Sequence, residues 1–143
     1  MGQTLGVTPL RITIVLTVLA AVVVVLTRVR LGRNDGEAAG RLSISRVLLN
    51  THTVAGVLAL GGWSAFLVLG HVMVGYASLL AWWVTVAAGL LILLRWLPAR
   101  GRHSSGPVAD TWGGGPGLSV LAHVGLLVGV SVFTVLLVLA EIP

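Results

Sequence analysis

Hydrophobic and polar positions divide this chain into four long apolar runs separated by short polar stretches. The runs cover about residues 9–29, 47–70, 76–97 and 118–140. None alternates apolar and polar residues as a barrel strand would. Each approaches the roughly 20 residues that a helix needs to cross about 30 Å of hydrocarbon. Backbone groups in lipid must be paired within their own segment, which a helix achieves. The pattern therefore predicts an all-α membrane protein, a single four-transmembrane-helix bundle spanning residues 1–143.

The punctuation agrees with these limits. Pro9 suits a helix start, where its missing N–H would have no partner in any case. Asn34-Asp35-Gly36 marks a turn in the loop 30–46. The uncharged stretch Gly70-His71-Val72-Met73-Val74-Gly75 is expected to connect helices two and three. Pro98 ends helix three. Residues 98–117 are rich in Gly, Ser and Pro and form the next loop.

Composition sharpens the picture. The chain is 57% hydrophobic and only 9% charged, with a mean hydropathy of +1.05. Soluble domains carry about 25% charged residues, so most of this chain has lipid as its solvent. The net charge of +5 comes from nine arginines without a lysine, against four acids. Those arginines sit at the ends of apolar runs, as topology signals and headgroup contacts, so a nucleic-acid partner is rejected. Eight of the nine, Arg28, Arg30, Arg33, Arg41, Arg46, Arg95, Arg100 and Arg102, follow helices one and three or precede helix two. Only Arg11 lies on the other side. The positive-inside rule then puts both termini outside the cytoplasm. Arginine without lysine, with abundant Ala, Val and Gly, points to a bacterial inner (plasma) membrane protein.

No cysteine is present, which excludes disulfides, thiolate ligands, iron–sulfur sites and covalent c-type haem attachment. No hydrolytic motif is visible. The helices carry no acidic residue except Glu141 at the very end, which argues against a proton relay or cation-coupled transporter.

The candidate chemistry lies in the histidines. An ionisable group inside a bilayer is expensive and is a functional hypothesis by default. His52 lies about 8 Å into helix two at 1.5 Å per residue, and His123 lies about as far into helix four. The two helices run in the same direction, so both rings fall at one depth. Two imidazoles at equal height suit axial ligation of a haem iron. Gly56 shares the His52 face and would leave room for a flat macrocycle. Leu126, Leu127 and Val130 share the His123 face. The alternative is that His52 and His123 hydrogen-bond across the bundle, or to Asn50, Thr53 or Ser119, without iron.

Arg46 with His52-Thr-Val-Ala-Gly56, together with Ala122-His123-Val-Gly125, resembles the haem-bearing helices of small b-type cytochrome membrane subunits. Those include the succinate dehydrogenase membrane anchors and the bacterial four-helix cytochrome b family. In the anchors an arginine follows the histidine, whereas here Arg46 precedes it. The resemblance implies haem b held by His52 and His123, electron exchange with quinone, and a place in a respiratory or related complex beside other membrane subunits.

Three further features remain. His71, Met73 and Tyr76 cluster at the expected outer surface, as an interfacial loop or a site for a soft metal or quinone headgroup. His103 belongs to an arginine-rich loop. Gly125 and Gly129 form a close-packing motif, expected to work inside the bundle. The competing functional reading is an accessory or assembly subunit with no cofactor.

Overall fold

The computed structural model describes residues 8–33, 45–96, 116–140 and 142. They form four helices: α1 (Pro9–Arg33), α2 (Arg46–Leu69), α3 (Val72–Trp96) and α4 (Pro116–Val138). Three are long and apolar enough to cross a membrane, over Val47–Leu69, Val72–Leu94 and Val120–Val138. This is a multi-pass membrane protein by length and composition. The described apolar part of α1 is shorter, Pro9–Val25. The turn at Asn34-Asp35-Gly36, the arginines at 41, 100 and 102, and His103 lie outside the described residues.

The expected connection 70–75 is shorter than the sequence indicates. Gly70 adopts a left-handed φ of 70° and donates its N–H to the Phe66 carbonyl at 2.8 Å, ending α2. The His71 carbonyl then accepts the N–H groups of Val74 and Gly75, at 2.9 and 3.2 Å. The new helix starts at once, so Met73, Gly75 and Tyr76 are helical. A glycine at the left-handed position satisfies the last carbonyls of one helix without a Cβ penalty, which is why two residues suffice.

This tight turn makes α2 and α3 an antiparallel hairpin with the most extensive interface in the fold. Small residues bring the two backbones together. A Cβ on Gly75 would stand 3.0 Å from the Phe66 ring, and one on Gly56 would stand 3.5 Å from Cγ2 of Thr85. Helix α4 packs on α3, and α1 bridges α4 and α2. Thus α2 and α4 lie on one diagonal of the bundle, α1 and α3 on the other. Among the described residues, neither diagonal pair packs backbone to backbone.

The core at the α2–α3 turn end is aromatic. Trp63 stacks on Phe133 with ring centres 4.6 Å apart, while Phe66 and Trp82 pack at 5.2 Å from Trp63 and 6.1 Å from Phe133. Ala59, Leu79, Val86, Val130 and Leu137 complete it. Trp82 is buried. Its neighbour Trp83 is partly exposed and donates Nε1–H to Thr134 Oγ1 of α4 at 3.1 Å.

Inward-facing hydroxyls are satisfied locally. Thr13, Thr17, Ser78 and Thr85 are buried, and each bonds back to the carbonyl four residues earlier. This lets a hydroxyl sit in an apolar bundle without an unpaired donor. Thr13 and Thr17 give α1 its inner face, while Ile14, Val15, Val18, Leu19 and Val22 through Val25 are exposed for contact with lipid.

Candidate functional site

The structure brings His52 and His123 together. His52 stands about 9 Å along α2 and His123 about 10 Å along α4, at 1.5 Å per residue from each helix start. Their ring centres are 6.1 Å apart and their planes differ by 23°. The two rings therefore reach across the α2/α4 diagonal and meet at the end of the bundle opposite the Gly70–His71 turn.

A hydrogen bond orients one of them. His52 Nδ1 lies 3.0 Å from the backbone carbonyl of Thr85 on α3. A carbonyl only accepts, so Nδ1 carries the proton. In the neutral ring, Nε2 is then the lone-pair nitrogen. An Nδ1–H bonded to a backbone carbonyl is the usual support of a metal-binding histidine, because it fixes the tautomer and the ring direction.

The floor of the site is Gly89 on α3. A Cβ there would lie 2.8 Å from Cδ2 of His123, 3.1 Å from its Nε2 and 3.0 Å from Cε1 of His52. Real Cβ atoms essentially never come as close as the first of these, so both rings rest in the space that a side chain at position 89 would fill. A Cβ on Gly56, which shares the His52 face, would stand 3.5 Å from Cγ2 of Thr85. The glycine beside the rings is Gly89, which sequence reasoning missed.

The chemistry of this donor set is narrow. Among the described residues, no group of three or more His, Cys, Asp or Glu side chains could hold a metal ion. A structural zinc takes four protein ligands. Two imidazoles alone match a metal whose other positions are already filled, as the iron of a haem is. The two rings themselves fill the space beside Gly89.

The other candidates are more scattered. His71 is exposed in the turn, with Met73 and Tyr76 exposed on the first turns of α3. In the close-packing motif Gly125 is exposed and Gly129 is buried, and a Cβ at either would have nothing within 4 Å among the described residues.

No protein-family model, no curated protein and no solved structure matches this chain.

Proposed function

We propose that this protein is a small integral subunit of a respiratory or related electron-transfer complex, and that it holds one b-type haem between His52 and His123. The observation that carries the reading is the facing pair of imidazoles on diagonal helices, one with its Nδ1–H committed to the Thr85 carbonyl. His52 and His123 would hold the group from two facing helices. When bound, the haem would supply a one-electron iron couple exchanging with quinone. In that role His52 would present a tautomer fixed by the Thr85 carbonyl.

In this reading α1 is the fourth span, both termini lie outside the cytoplasm, and the membrane is the inner membrane of a bacterium. The support is the arginine bias of the sequence. The test is an absorption spectrum of protein purified with full haem supply. Reduced α and Soret bands of b type are expected, and are lost in His52→Ala and in His123→Ala. A colourless preparation overturns the proposal.

One observation favours a second reading. Gly125 is exposed, a Cβ at Gly125 or Gly129 would have nothing within 4 Å, and small residues at that spacing let a second helix approach closely. An accessory or assembly subunit without cofactor would use that part of α4 to bind a larger membrane complex. Crosslinking from position 128, between the two glycines, tests it: capture of a membrane partner by a colourless protein supports this reading, and the absence of any adduct removes it.

A further inference from the structure

We infer that Gly89 is a positioning residue: its missing side chain opens the Thr85 carbonyl to His52 and so sets the tautomer and direction of that imidazole. The inference begins with helix geometry. The Thr85 carbonyl already accepts the N–H of residue 89 within α3, as any helical carbonyl accepts from four residues on. It has a second lone pair. A side chain at the fourth residue onward lies beside that lone pair, which is why serine and threonine bond back to it.

This protein shows the ordinary arrangement repeatedly. Thr17 bonds to the Thr13 carbonyl at 2.7 Å, Thr85 to that of Ala81 at 2.8 Å, and Ser131 to that of Leu127 at 2.8 Å. At position 89 the sequence offers no side chain, and an imidazole from another helix takes the place of the hydroxyl, with Nδ1 at 3.0 Å. The same gap admits the Cδ2–Nε2 edge of His123. One glycine therefore serves two functions: it exposes an acceptor for one ring and gives clearance to the other. In consequence His52 is oriented by α3.

The inference rests on the proposed haem site only for its relevance to iron, and it is tested without haem. Protein carrying ¹⁵N-labelled histidine is prepared cofactor-free in detergent micelles, and nitrogen NMR reads the His52 tautomer. The wild type is expected to show protonated Nδ1 and unprotonated Nε2. Gly89→Ala is expected to lose that pattern for the opposite tautomer or a mixture. His123→Ala, which enlarges no side chain, is expected to keep it. Retention of the Nδ1–H form in Gly89→Ala overturns the inference, and so does its loss in His123→Ala. In a haem-loaded sample Gly89→Ala is expected to lower haem content and shift the midpoint potential. If the wild type binds no haem while the tautomer results hold, the haem proposal fails and the positioning role of Gly89 stands.

Discussion

The hydroxyl of Ser78 occupies the space into which a side chain on Gly62 would grow. Ser78 is buried and bonded to the Val74 carbonyl at 2.6 Å, so it has little room to turn away. Gly62→Ala should therefore force α2 and α3 apart, with a loss of about 1–3 kcal/mol as for other overpacked sites. Ser78→Ala in the same chain should recover part of that loss. A Cβ on neighbouring Gly61 would meet nothing within 4 Å, and Gly61→Ala should be neutral or gain up to about 1 kcal/mol from helix propensity. Thermal unfolding of the three variants in one detergent checks the order.

Trp63 is fully buried, yet among the described residues its Nε1–H has no hydrogen-bond partner, and the same holds for Trp82. The ring, and not the donor, is what stabilises the core. Trp63→Ala should destabilise by about 3–5 kcal/mol through the cavity it leaves. Trp63→Phe should lose far less, because it also removes an unpaired polar group worth about 1–3 kcal/mol of penalty. Equal losses in the two variants would show that the indole N–H is bonded.

Trp83 and Thr134 tie α3 to α4 through a side-chain bond of 3.1 Å. Trp83→Phe and Thr134→Val should each lose roughly 0.6–1.7 kcal/mol, the range measured for interhelical bonds in membranes. The double variant should lose less than the sum of the two, since the second change removes a bond already broken. Strict additivity in unfolding measurements would argue against the bond.

On α4, a bulky residue at Gly125 meets open space within this protein. Gly125→Ile should leave the stability of the isolated chain within about 0.5 kcal/mol, as at other unencumbered surface positions. It should weaken association with a partner helix, read as lost crosslinking from position 128. Loss of folding in the isolated chain would place Gly125 inside the bundle instead.

Much of this architecture is legible in the sequence. Four apolar runs give four helices, and Pro9 opens α1 as expected. The shared depth of His52 and His123 follows from counting residues in from the polar ends. The extent of the first link is not legible, because Val72 through Gly75 is apolar and reads equally as connection or helix; the left-handed Gly70 decides it. Nor is Gly89, which sits among Ala87, Ala88 and Leu90 with no local mark. Its role exists only in contact with two other helices. A signal is present all the same: His52 lies eighteen residues before Gly70, and Gly89 lies eighteen after His71. Folding the chain back at that turn superposes them. The same fold-back pairs Gly56 with Thr85 and Phe66 with Gly75.

The Gly70–His71 corner thereby acquires a meaning beyond economy of length. A residue inserted there would turn everything downstream by about 100° about the axis of α3. Thr85 and Gly89 would swing away from His52 together, although every side chain in the protein would still be present. Chain length at this corner is thus as much a determinant of the imidazole pair as the histidines themselves, and an insertion would disable the pair without altering any of its members.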